Sequence, residues 1–232
     1  MNQPMTLLAF PFAGGNRFSY REIIDQLPGD IHVHAFDYPG HGSRFKERPL
    51  DDLAAVTDDA LAQVQAYLKP PYALFGHSMG AQVAFLLMHR ILALGLPAPR
   101  KLIVTGRKAP EHWHREEHIH GLSKDAFFAK VEALGGLPPA FLANPELRDL
   151  FEPILRADFK AIELFPTNRG PYPVNLPIIS ITGTEEAMTD DEIQHWQHET
   201  TKPLVVHRIE GGHFFLFKQR APFCQLLADL LR

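Results

Sequence analysis

The sequence predicts an α/β fold: a mostly parallel central sheet flanked by helices, with a helical insertion late in the chain. Three observations predict it. Short apolar runs alternate with helical patterns from Met5 to about Pro110 and again from about Leu176. A glycine-flanked serine stands between one such run and a helix. The interval 111–175 contains no clear strand. Strand–helix alternation gives parallel strands whose crossover helices cover both faces of the sheet. At 232 residues the chain fits one domain, 1–232, with 111–175 as a lid insertion within it.

Thr6–Phe10 reads as the first strand, and Pro11-Phe12-Ala13-Gly14-Gly15 as a tight loop after it. Ile31–Phe36 reads as the second, followed by the loop Asp37–Arg44. Tyr72–Phe75 is a fully apolar strand, and Ala81–Met88 a helix. In the insertion, Ser123 is placed to cap a helix over Lys124–Ala133, which Gly135-Gly136 ends. Pro145 fits the first turn of a second helix, 146–164, which Pro153 should kink or split. Pro177–Thr182 and Leu204–Ile209 resume the strands, and a helix near Ala221–Leu231 closes the chain, with the lone Cys224 in its core.

The chemistry lies in the loops. Gly76-His77-Ser78-Met79-Gly80 matches G-x-S-x-G in the strand–turn–helix context that the motif needs. The turn lifts the Ser78 hydroxyl above the sheet, and the Met79 N–H lies where an oxyanion can be met. The partners should follow in the order acid, histidine. Of thirteen histidines, His213 is the best base, because Gly211-Gly212-His213 follows a strand and falls on the carboxyl edge of the sheet. The acid is expected at Glu186, three residues after Gly183, with Glu185, Asp190 and Asp191 as rivals. The second oxyanion N–H is assigned to Ala13, with Phe12 as its neighbouring rival. His41 precedes the nucleophile, which is the wrong chain order for a base. Phe127, Phe128, Phe141 and Phe151 are the candidates for an apolar substrate-binding wall on the insertion, against the default of packing on the core. His112-Trp113-His114, with His118 and His120, reads as a solvated loop. The i,i+2 spacing does not place His112 and His114 on one helix face, so no metal is expected.

Net charge of −4 leaves no nucleic-acid footprint. The start of the chain lacks a basic n-region, and its apolar run is only a strand long, so neither a signal peptide nor a membrane span is expected. A cytoplasmic monomer without cofactors is the expectation.

Several motifs together resemble the stand-alone (type II) thioesterases of polyketide and nonribosomal peptide synthesis, within the α/β-hydrolase superfamily. They are Phe10–Gly15, Tyr38–Arg44, Gly76–Ala81, Thr105–Pro110, Leu134–Pro138, Leu155-Arg156-Ala157-Asp158-Phe159 and Gly211–Phe214. The resemblance spans nearly the whole chain. It implies an α/β-hydrolase fold and a serine thioesterase whose partner is an acyl or peptidyl carrier protein bearing phosphopantetheine. Two departures stand out. His41 replaces the usual arginine of Pro-Gly-Arg-Gly, and Glu186-Ala187-Met188 replaces the usual aspartate-containing segment. Some relatives take the acid from an earlier strand, near Thr105-Gly106-Arg107, where this chain has no carboxylate. The alternatives are a small-molecule carboxylesterase and a degenerate member that binds acyl groups or a carrier protein, or catalyses a non-hydrolytic step.

Overall fold

In the computed structural model, residues 4–115, 117–166 and 172–232 are described. Residue 116 and residues 167–171 of the expected 111–175 insertion, and Met1–Gln3 of the expected amino-terminal segment, lie outside the described residues.

Six strands form one sheet in the order β2-β1-β3-β4-β5-β6, every neighbouring pair parallel. They are β1 (Met5–Phe10), β2 (Ile31–Ala35), β3 (Tyr72–His77), β4 (Leu102–Thr105), β5 (Ile178–Gly183) and β6 (Val205–Ile209). The chain direction of successive strands follows from the helices between them: α1 (Arg21–Ile24), α2 (Leu53–Val64) and α3 (Met79–Ala93) in the first half. Next come α4 (Lys124–Ala133), α5 (Pro139–Leu142) and α6 (Pro145–Glu163) between β4 and β5. Then follow α7 (Asp190–Gln194), α8 (Phe215–Lys218) and α9 (Arg220–Leu231).

Side chains alternate along a strand, so each strand supplies two cores. Leu8, Phe10, Leu74 and Val104 pack with α2, α3 and the β4–β5 helices. Leu7, Ala9, Ala73, Phe75 and Ile103 pack with α9, including the buried Cys224. Both faces of the central strands are therefore buried, and the strands read as continuous apolar runs because neither face meets water.

The helical segment departs from the sequence expectation in three places. Helix α6 runs unbroken through Pro153. A proline deletes one backbone bond of a long helix, and the burial of Ile154, Leu155 and Phe159 beyond it keeps the following turns in the same helix, so the expected split does not occur. Ser123 stands at the N-cap of α4, but its hydroxyl makes no capping bond. His112 and Trp113 are not solvated. They sit in a 3-10 turn, Pro110–Arg115, where the Trp113 ring packs edge-on to Phe85 and its Nε1–H donates to the Lys108 carbonyl at 2.9 Å. Gly135, at φ +82°, follows the last turn of α4, as a helix-ending glycine does. Among the described residues, no helix is long and apolar enough to cross a membrane.

Candidate active site

Ser78 joins β3 to α3 with φ 55° and ψ −116°, the single described non-glycine residue with positive φ. A serine pays a steric cost there, which is tolerated only where its surroundings over-determine the conformation. The two glycines explain how. A Cβ on Gly76 would lie 2.0 Å from the Gly80 carbonyl oxygen, and one on Gly80 would lie 2.0 Å from that of Phe10. Strand, helix and the neighbouring β1 backbone thus interlock at distances that only glycine permits. Ser78 is left at the carboxyl edge of the sheet, at the amino end of a 15-residue helix.

His77 is turned the other way, into the protein. Its Nδ1–H donates to Thr105 Oγ1 at 3.0 Å, and the Thr105 hydroxyl donates to the Gly76 carbonyl at 3.1 Å. Burial, then the adjacent His213, hold the His77 pKa well below its ordinary value, so this ring is neutral. It lies 4.8 Å from the His213 ring, centroid to centroid.

His213 sits in the loop after β6. Its Nδ1 meets Glu186 Oε1 at 2.6 Å, and Glu186 Oε2 accepts from the Gly183 backbone N–H at 2.7 Å. The Glu186 carboxylate is 5% exposed, so the contact is shielded from water. The loop that carries it is tied across the sheet: Thr184 N–H donates to the Ile209 carbonyl, and Glu185 N–H to that of Gly211. The rivals point elsewhere. Glu185 is exposed, Asp190 pairs with Arg208, and Asp191 faces His195 at 3.3 Å.

The loop after β1 is fixed on both sides of Ala13. Tyr38 Oη–H donates to the Pro11 carbonyl at 3.0 Å, and the Gly14 N–H donates to Asp158 Oδ2 at 2.6 Å. The same Asp158 oxygen lies 2.9 Å from His41 Nε2, and His41 Nδ1 lies 3.0 Å from the Pro39 carbonyl. Both imidazole nitrogens face acceptors, which requires the doubly protonated ring. Burial pulls the His41 pKa down. The charge and hydrogen bond of Asp158, the Pro39 carbonyl and Asp37 outweigh it and hold the pKa above the ordinary value. Asp158 comes from α6, so one buried ion pair joins the β2 loop, the β1 loop and the helical segment. In the sequence Asp158 stands within a motif and His41 is excluded as a base by chain order, and nothing local to either residue shows this tie. The one available signal was a carboxylate inside the apolar face of α6.

Two cavities meet at Ser78 and His213. One, about 330 Å³, is apolar, walled by Phe12, Ala13, Leu137, Phe141, Phe151, Leu155 and Phe159. The other, about 640 Å³, is mixed: Lys108, Lys130, Glu117 and Glu185 border it together with Ile119, Leu134, Ile162 and Met188. Of the four expected acyl-wall phenylalanines, Phe141 and Phe151 line the apolar cavity and stack edge-on at 5.5 Å. Phe127 and Phe128 line neither. Phe127 is fully buried between Phe128, Phe159 and the Arg156 guanidinium, and Phe128 lies beneath Arg148. Helix α4 spends these rings on packing the segment together.

Residues 5–231 match the family model of the thioesterase domain. The chain belongs to the thioesterase domain family. It is 28% identical over 229 residues to the gramicidin S biosynthesis protein GrsT of Aneurinibacillus migulanus, covering 98% of this chain and 89% of that one. The solved structure of RedJ, a thioesterase from the prodiginine pathway of Streptomyces coelicolor, superposes with a TM-score of 0.90 at 30% identity, covering 97% of this chain and 90% of RedJ. The type II thioesterase BorB of the borrelidin biosynthetic cluster superposes with a TM-score of 0.89 at 31% identity, covering 100% of this chain and 94% of BorB. The thioesterase is therefore a hydrolase of thioesters with the α/β-hydrolase fold, similar along its length to type II thioesterases of biosynthetic pathways.

Proposed function

We propose that this thioesterase releases acyl groups from the phosphopantetheine arm of acyl or peptidyl carrier proteins, for editing or product release, through a Ser78–His213–Glu186 triad. The observation that carries the reading is the meeting of two unlike cavities at Ser78 and His213. An acyl chain suits the apolar cavity, walled by Phe141 and Phe151. The larger cavity, whose mixed wall carries lysines and carboxylates at its rim, suits the amide-rich arm. The segment 111–175 acts as the lid. All three triad residues come from one chain, so a monomer suffices, and the cytoplasm is the expected place of work.

His213 takes the Ser78 proton as the hydroxyl oxygen attacks the thioester carbonyl. The Met79 and Ala13 N–H groups stabilise the oxyanion, and Glu186 holds the imidazolium through Nδ1. The carbon–sulfur bond breaks, the thiol leaves with the proton from His213, and an acyl-Ser78 ester remains. Water, deprotonated by His213, attacks that ester, and the free acid departs as Ser78 regains its proton.

Initial rates on an acyl-carrier protein and on the matched oxygen ester test the reading. Faster turnover of the carrier-bound thioester is expected. A preference for the oxygen ester would favour a small-molecule carboxylesterase instead.

A further inference from the structure

Away from the cleft, Glu111 and His112 of the 3-10 turn after β4 meet His195, which follows α7. His112 Nε2 lies 2.7 Å from His195 Nδ1 and 3.4 Å from Glu111 Oε1, and Glu111 Oε1 also contacts His195 Nδ1. These three atoms lie within 4.8 Å of one another. A single proton would have to be shared among them. With Nδ1 of His195 protonated, its one N–H is divided between the Glu111 carboxylate and the ring nitrogen of His112. With Nδ1 unprotonated, it accepts from His112 but turns its lone pair on a carboxylate. A cation at the centre satisfies the three lone pairs together.

The outer contacts are those of a metal site. His195 Nε2 faces Asp191 at 3.3 Å, and Glu111 Oε2 faces His198 Nδ1 at 3.1 Å. A carboxylate on the far nitrogen of a ligating histidine fixes its tautomer and orientation, and a hydrogen bond on the free oxygen of a ligating carboxylate does the same. His112 is buried, while Glu111 and His195 are 20% and 25% exposed, so an ion has an entry path and a side open to water.

We propose that Glu111 Oε1, His112 Nε2 and His195 Nδ1 bind one divalent transition-metal ion, zinc by the chemistry of the donors, with water completing a tetrahedral set. This proposal departs from the expectation of no metal. That expectation weighed His112 against His114, His118 and His120, neighbours in sequence, whereas the partner His195 lies 83 residues away. The ion braces two segments that also border the larger cavity: β4 leads through Arg107 and Lys108 to the 3-10 turn, and the Glu185–Met188 loop leads into α7. The Ala109 N–H already donates to the Glu192 carbonyl across this seam. The role is structural and independent of the thioester reading.

The test uses the untagged full chain, stripped with chelator and titrated with zinc by calorimetry and with cobalt(II) by visible absorption. One equivalent of zinc is expected, with the intense visible bands of tetrahedral cobalt. The thermal midpoint should rise by about 5–10 °C at a hundredfold excess over Kd. His195→Ala and Glu111→Gln, each checked for native circular dichroism, should weaken zinc binding by about a hundredfold or more. His118→Ala, at an exposed site outside the cluster, should bind as wild type does. Absence of stoichiometric binding by wild type overturns the proposal, as does unchanged binding in either folded cluster variant.

Discussion

The two walls of the cleft are held by opposite means. The sheet wall carries Ser78, His213 and Glu186 on short turns whose backbones interlock, through glycines in contact with carbonyls and hydrogen bonds between adjacent strands. The helical wall touches the cleft through side chains, Phe141, Phe151, Leu155 and Phe159, and is moored there by the Asp158 carboxylate. Backbone contacts fix a reacting atom to a fraction of an ångström. Side-chain packing fixes a volume. The first suits chemistry that every substrate shares, and the second suits selection among acyl chains.

The largest expected effect breaks the sheet wall alone. Ser78→Ala should keep the fold and lower thioester turnover by at least about 10³-fold, measured on any accepted acyl thioester. A folded variant with most of its activity would remove the serine mechanism. Glu186→Gln should cost on the order of 10²–10⁴ in turnover, because the amide neither stabilises the imidazolium nor enforces the tautomer. Glu185→Gln should cost little. The reverse ranking would mean that another carboxylate orients His213.

The mooring between the walls comes next. Asp158→Ala leaves a buried imidazolium without its partner and should destabilise the protein by about 3–5 kcal/mol in denaturant titration. Its turnover should fall as well, since the Gly14 N–H beside Ala13 loses its acceptor. Asp158→Asn, which keeps an acceptor oxygen, should be milder in turnover. The pair is also titratable. The folded-state pKa of His41 is raised, so its stabilisation is complete below the ordinary histidine value and is lost as pH rises through the folded value. Asp158 faces His41 from α6, and Asp37, Tyr38 and the Pro39 carbonyl face it from its own loop. The stability gap between wild type and His41→Gln should therefore narrow from pH 6 to pH 9, and a constant gap would mean a neutral ring.

The smallest effects belong to the helical wall. Phe141→Ala or Phe151→Ala should move the preferred acyl length by one or two methylenes, each worth at most about 0.8 kcal/mol, or about fourfold in rate. Phe127→Ala should instead act through stability, because that ring packs inside the segment. A flat chain-length profile in wild type and both cavity variants would erase the contrast between the two walls.

What the sequence determined by itself was local. Apolar runs of strand length, Gly-x-Ser-x-Gly between a strand and a helix, and Gly-Gly-His after a strand depend on neighbours a few residues apart, and backbone sterics are short-ranged. Hence the parallel sheet was legible, as were the turn that carries Ser78 and the loop that carries His213, while Glu186 stood first among four candidate acids. The tertiary structure decided everything that joins distant segments. It brought Gly183 and His213 to the same Glu186 carboxylate. It sent Phe141 and Phe151 to the cavity and Phe127 and Phe128 to the interior. It joined His41 to Asp158 across 117 residues and His112 to His195 across 83. Helical periodicity marks a face as apolar but not what that face meets, because the docking angle of the helix is set by the whole packed core.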